Sequence, residues 1–252
     1  MKCASSAALF LHVALLSCVS RSAIAQDYTH RSLLVPQGSF QITGEPARPQ
    51  ILRFNASDGR LGQPVHLAPH FYWGISDSVT LGITHREGLC LNACADRPYN
   101  DAGFALLVNL SRSPDVELNL DTGVEARSFS PFLLGFRAGL LGRVTFGATA
   151  LVFNPMLYAG LTERGHPNRE ELVLPFWLYF QASQRVVPFV GTSLVGPWHD
   201  FADAYAMPVE AGVLFEVSAA VDLGFYFRFD NLLGDGGNPD ARELGLLGRF
   251  RF

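Results

Sequence analysis

Residues 116–127, VELNLDTGVEAR, alternate almost without a break. Val116, Leu118, Leu120 and Val124 share one phase, and Glu117, Asn119, Asp121, Glu125 and Arg127 the other. Successive side chains of a strand point to opposite faces, so this strand carries one apolar and one ionised face. The pattern recurs at about 38–46, 64–73, 78–86, 103–112, 115–126, 132–140, 143–153, 170–181, 186–196, 206–218, 221–232 and 241–252. Most of these stretches approach the ~9–11 residues with which a tilted strand crosses a bilayer. They predict an all-β, up-and-down antiparallel barrel of about twelve strands (10–12). Alternation alone leaves open which face meets what. A soluble barrel packs its apolar phase inward, and a membrane barrel turns that phase to lipid.

Three features favour lipid. Gly82, Gly123, Gly135, Gly147, Gly212, Gly224 and Gly245 fall on the polar phase, where a crowded lumen would use small residues and a solvated face would gain nothing from them. The apolar phase forms long stripes, Leu172, Leu174, Phe176, Leu178 and Phe180 on one strand and Val221, Leu223, Phe225, Phe227 and Phe229 on another. Twelve such stripes would overfill a small soluble barrel. Trp73, Trp198, Tyr99 and Tyr205 sit near strand ends or in loops, where interfacial girdles form. Composition agrees: charged residues are 17%, below the usual quarter of soluble domains, and lysine is absent after Lys2. A net charge of −4 without a basic patch speaks against nucleic acid as a partner. No later apolar run reaches the ~20 residues of a membrane helix; FLLGFRAGLLGRVTFGATALVF comes nearest and is interrupted by Arg137 and Arg143.

Connection lengths alternate as well. GISDS, SRSPD, LLG, SQR and SAA are tight; EPARPQILRFNASDGRLGQ, the cysteine loop, PMLYAGLTERGHPNR, PWHDFADAY and GDGGNPD are long, and the short link near SFSP breaks the trend. An even strand count places both termini on the short-turn, periplasmic side. Ahead of the barrel, Lys2, the apolar run ALFLHVALLSCV and Ala23-Ile24-Ala25 read as a cleavable export signal. The expected division is a signal peptide over 1–25, a periplasmic lead-in over 26–37 and the barrel over 38–252. LLSC, ending at Cys18, is a competing lipoprotein box that Leu16 fits poorly. Cys90 and Cys94 remain in the exported chain and read as a disulfide. A metal site is the sharper alternative, but two sulfurs without a His or third Cys make a poor tetrahedral set.

The chain ends in ELGLLGRFRF, with Leu244, Leu246, Phe250 and the terminal Phe252 on one phase and Arg249 and Arg251 on the other. This ending resembles the assembly signal of bacterial outer-membrane β-barrel proteins, a porin-like class. The resemblance implies an outer-membrane location, lipid around the wall, and delivery by periplasmic chaperones to the barrel-assembly machinery.

With the polar phase inside, the lumen would carry Glu117, Asp121, Glu125, Glu210, Glu216, Asp222, Asp230 and Glu243 against Arg127, Arg137, Arg143, Arg228, Arg249 and Arg251, narrowed by Trp177 and Tyr179. Folding back through SFSP places Arg137 about opposite Asp121. Cross-strand pairs of this kind stabilise a wet interior and can brace a constriction. The expected function is a narrow passive pore for small solutes or ions, weakly cation-preferring at most. The alternatives are a non-transporting barrel acting in structure or surface recognition through its loops, and a lipid hydrolase. Outer-membrane hydrolase families place His and Ser two residues apart on a lipid-facing strand. Here H-x-S occurs only as His30-Arg31-Ser32, ahead of the first strand. His66 and His70 fall on the luminal phase, His85 on the outward phase with Glu87 where a Ser is needed, and His166 and His199 in loops. No enzyme activity is expected, and no cofactor. The acidic loops WHDFADAY and GDGGNPD offer oxygens to calcium without the spacing of a calcium loop.

Overall fold

The computed structural model describes residues 27–57, 60–94, 98–164, 168–234 and 242–252. The export signal, His166 and the GDGGN-containing link after Gly234 lie outside them. Sixteen segments build the wall: β1 (Phe40–Thr43), β2 (Gln50–Ser57), β3 (Arg60–Leu67), β4 (His70–Ser76), β5 (Val79–Thr84), β6 (Leu89–Asn92), β7 (Ala102–Arg112), β8 (Val116–Phe129), β9 (Phe132–Phe146), β10 (Thr149–Phe153), β11 (Met156–Gly160), β12 (Glu171–Phe180), β13 (Val186–Pro197), β14 (Ala206–Ser218), β15 (Val221–Gly234) and β16 (Arg242–Arg251). β1 and β2 occupy one strand position, as do β3 and β4, β5 and β6, and β10 and β11, so the wall has twelve. All pairings are antiparallel between chain neighbours, and β1 closes the barrel on β16 through Gln41–Arg251, Ile42–Phe250 and Thr43–Arg249. Pairing the first strand with the last leaves no open edge between them, the condition a sheet must meet to stand in hydrocarbon. Tight turns at 77–78, 113–115, 147–148, 181–185 and 219–220 lie at the end that bears both barrel termini, the short-turn end.

The wall is inside out relative to a soluble protein. Phe104 is 66% exposed and Phe225 55%, while Glu117 is 1% and Asp222 0% exposed. A ring of Phe, Leu and Val on the outer surface is far larger than the few hundred Å² of apolar patch a soluble monomer tolerates. Trp73 and Trp198 are both exposed. They stand at opposite ends of the wall, Trp73 toward the short-turn end and Trp198 just beyond β13.

Glycine and aromatic residues are matched inside the barrel. Tyr72 lies across Gly82, Trp177 across Gly191, Phe189 across Gly212 and Tyr226 across Gly245, each pair directly opposed in register. A Cβ on any of these glycines would run into the ring. Tyr158 covers Gly135 in the same way. The glycines therefore make room for large side chains laid flat against the wall. Gly147 differs from expectation: it takes φ +59° in the turn after β9, with open space around it. We expect Gly245→Val to drive Tyr226 off the wall and to destabilise the barrel by about 1–3 kcal/mol, read as a shift in the urea midpoint; an unshifted midpoint would mean the ring has a second seat.

Strand boundaries differ from the sequence expectation in four places. LLG, expected as a tight turn, lies inside β9, which runs on to Phe146 and turns at 147–148. The other three lie toward the loop end. The link over 45–63 is mostly the β2–β3 hairpin, the cysteine loop begins as β6, and PMLYAG continues the wall as β11. All three are upper extensions of a tilted barrel, and their mixed composition hid the period. Among the described residues, two segments turn in across the barrel. Residues 44–49, GEPARP, turn into the lumen between β1 and β2, since Pro46 and Pro49 lack the N–H a ladder needs. Residues 27–36, expected as a lead-in before the barrel, lie across its short-turn mouth, with Tyr28, Leu34 and Val35 buried.

Candidate functional site: the barrel lumen

The lumen is organised in three levels. Toward the loop end it opens into a cavity of about 280 Å³ lined by Arg48, Arg53, Arg86, Arg127, Arg137 and Arg228 against Glu45, Asp101, Glu125 and Glu171, with His70, His85, Met156 and Tyr158 between them. Arg127 is the most firmly held of these cations. It reaches Glu125 at 2.8 Å and Glu171 at 2.8 Å, and its guanidinium carbon lies 3.3 Å from the centre of the Tyr158 ring. Arg137 sits 3.4 Å from Asp121. Arg53 donates to the Arg86 carbonyl at 3.1 Å. Asp101 accepts the backbone N–H groups of Arg86, Glu87 and Gly88 at 2.8–3.0 Å, which fixes the rim turn. His85, expected to face outward, follows the end of β5 and turns to this cavity, where its Nδ1 is 3.3 Å from the Tyr99 hydroxyl. The strand period stops applying one residue past the strand.

The middle level is the inward turn 44–49. Arg48 pairs with Glu210, which also accepts the Trp177 Nε1–H. The Arg48 guanidinium lies 5.3 Å from the Tyr226 ring centre. Tyr179 donates its hydroxyl to the Ala47 carbonyl at 2.7 Å, and Arg249 donates to the Pro46 carbonyl at 3.0 Å. A second cavity of about 130 Å³ beside this turn touches Trp177, Ser193 and Glu210.

Residues 27–36 form the floor. Arg31 contacts Glu216 and both oxygens of Asp222, the latter at 2.9 and 3.0 Å. Glu117 accepts the Ser32 hydroxyl at 3.0 Å and the Leu33 N–H at 3.1 Å. Thr145 donates to the Thr29 carbonyl at 2.9 Å, and Arg143 donates to that of Arg31. The Tyr28 ring lies 5.3 Å from Tyr179. Ser32 of the H-x-S triplet is thus engaged by Glu117. Below the turn the lumen is also greasy: Leu107, Leu141, Val187, Phe189, Leu214 and Leu247 join the core with Tyr28, Leu34, Val35 and Ala47.

The residues read from the sequence as lumen-lining separate along the axis. Glu125, Arg127, Arg137 and Arg228 surround the upper cavity. Asp121, Trp177 and Glu210 are buried midway; Glu117, Arg143, Tyr179, Glu216, Asp222 and Arg249 are buried near the floor, where Arg251 also reaches Asp222. No single ring of them forms one constriction. Arg31, Arg48, Arg53 and Asp101 lie outside the stretches read as alternating, and Glu45 at the frayed end of the first, so a strand-phase reading missed them; the paired prolines around Arg48 were the one available sign that the wall breaks there. Cys90 and Cys94 form a disulfide with Cα atoms 5.7 Å apart.

No family model and no curated protein matches the chain. Solved structures do. A NanC porin superimposes with a TM-score of 0.56 at 6% identity, over 79% of this chain and 97% of its own. A KdgM porin superimposes with a TM-score of 0.56 at 7% identity, over 85% of this chain and 98% of its own. The chain has the fold of an outer-membrane porin. At such identities the shared property is the closed wall itself, and the short-turn end of this porin-type barrel is the one that faces the periplasm in that class.

Proposed function

We propose that the protein is a narrow outer-membrane pore that passes small solutes and ions and weakly favours anions. The upper cavity carries the reading: it is a charged space inside the barrel wall, with six arginines against four carboxylates on its lining. The sequence alone balanced the lumen's charges and pointed, if anywhere, to cations; on the lining of the upper cavity Arg48, Arg53 and Arg86 give arginine the majority. Packing below the cavity keeps the bore small, so conductance is low. Binding in this reading is electrostatic and involves no chemical step. An N-terminal export signal would deliver the chain to the outer membrane.

Reversal potentials in planar bilayers under a salt gradient test it. Unit charges 4 Å apart interact by about 1 kcal/mol even in bulk water, a factor of about five in an ion's local population. Arg127→Ala, which strips the cation from Glu125 and Glu171, should therefore lower the anion-to-cation permeability ratio about fivefold. An unchanged ratio would remove the cavity from the conduction path. The packed floor favours a second reading, a barrel with no transport role, and complete absence of current from folded protein would select it.

A further inference from the structure

We infer that residues 27–36 are a detachable lid on the periplasmic mouth, latched through Arg31 onto Glu216 and Asp222 and released when that latch is weakened. The inference rests on reading the barrel as a pore and adds its regulation.

The lid is held differently from the wall. Wall segments are woven in by continuous ladders. The lid joins the wall through one parallel bridge, Gln37 to Gly74, and then through side chains. Its root is Gly38, at φ +70° with nothing within 4 Å of where a Cβ would stand. A left-handed glycine in open space is a pivot that few other residues would supply. Apolar contact favours the closed state: Tyr28, Leu34 and Val35 are buried.

The three wall carboxylates that hold the lid keep partners of their own when it leaves. Asp222 retains Arg251, Glu216 retains Gln181 at 3.0 Å, and Glu117 retains Arg112 at 3.2 Å, Asn119 at 3.3 Å and Arg143 at 3.6 Å. Stripping one member from a buried ion pair is costly when the other is orphaned. Here opening orphans none of the three carboxylates, while Arg31 returns to water. The closed and open states are thereby brought close in free energy, which a gate requires. All of the latch lies at the periplasmic mouth, so release responds to conditions on that side.

The test uses the full-length mature barrel folded into lipid vesicles, with Leu34→Cys as a reporter and a membrane-impermeant maleimide as the probe. Leu34 is 4% exposed with the lid closed. At low salt the reporter should label slowly. Adding Arg31→Ala should speed labelling about tenfold, the effect of a pair weakened by roughly 1.4 kcal/mol. Raising ionic strength to about 1 M, where the screening length falls to ~3 Å, should speed labelling with Arg31 present and leave the Arg31→Ala protein nearly unaffected. Equal, salt-insensitive rates in both proteins overturn the lid. If Arg31→Ala fails to fold, the salt response of the reporter with Arg31 intact decides alone. Single-channel current recorded in parallel separates the two readings. Faster labelling with higher current supports lid and pore together. Faster labelling with no current in any condition keeps the lid and defeats the pore, leaving turn 44–49 as the seal.

Discussion

Glu210→Ala is expected to cost the folded barrel about 3–5 kcal/mol, the usual penalty for breaking a buried ion pair from one side. Glu210 is buried and binds two groups at once, the Arg48 guanidinium and the Trp177 indole N–H. Its loss leaves the Arg48 cation beside the Tyr226 ring without the carboxylate it pairs with. It also removes the strongest tie on turn 44–49, which then depends on the Tyr179 and Arg249 hydrogen bonds to its carbonyls. The same variant should therefore conduct more than the parent, because the middle seal loosens while the wall persists. Urea unfolding followed by tryptophan fluorescence reads the first effect and planar-bilayer current the second. Removing both partners in Arg48→Ala/Glu210→Ala should recover part of the stability, because no unpaired charge is left behind. A penalty below about 1 kcal/mol, typical of a solvated pair, would mean that water already compensates Arg48.

Deleting residues 250–252 is expected to lower the yield of assembled barrel by at least about tenfold. The physical seam is short. β1 is only Phe40–Thr43, and it pairs with the last three residues of β16. Phe40 and Phe252 exchange both backbone hydrogen bonds, at 3.1 and 2.8 Å, and their rings lie 6.2 Å apart. Truncation leaves β1 with an open edge against hydrocarbon, where each unsatisfied backbone group costs several kcal/mol. A factor of ten corresponds to only 1.4 kcal/mol, so it is a lower bound. The heat-modifiable band in outer-membrane fractions measures the yield, and spontaneous folding into vesicles separates the two roles of this terminus. If the truncated chain closes normally in vesicles and fails only in cells, the terminus serves recognition by the assembly machinery and the seam argument falls.

The twelve-strand wall and its orientation were legible in the residues themselves. VELNLDTGVEAR can satisfy its two faces in one way once no soluble core is large enough for the apolar stripes, so Glu117 and Asp121 had to point inward and Val124 outward. The cross-strand meeting of Arg137 and Asp121 followed from a tight turn and a period of two. Other inward residues were not legible. Leu107, Leu141 and Leu214 face the lumen from adjacent apolar pairs such as Leu106-Leu107, where both phases look alike. The lid carries no period, and the GEPARP turn overlaps the end of the first alternating stretch before its prolines break it, so both read as connections.

Alternation is a local property, set by bond geometry within each strand, and the sequence by itself determined what depends on it: the wall and its inside-out polarity. Lumen filling is a property of closure. It depends on how far apart twelve tilted strands hold opposite walls, and on which nonperiodic segment happens to fit that gap. Only the tertiary structure brought Arg31 to Asp222 across 191 residues of chain and Arg48 to Glu210 across 162, because no pairing rule along the sequence connects a loop to the far side of a barrel.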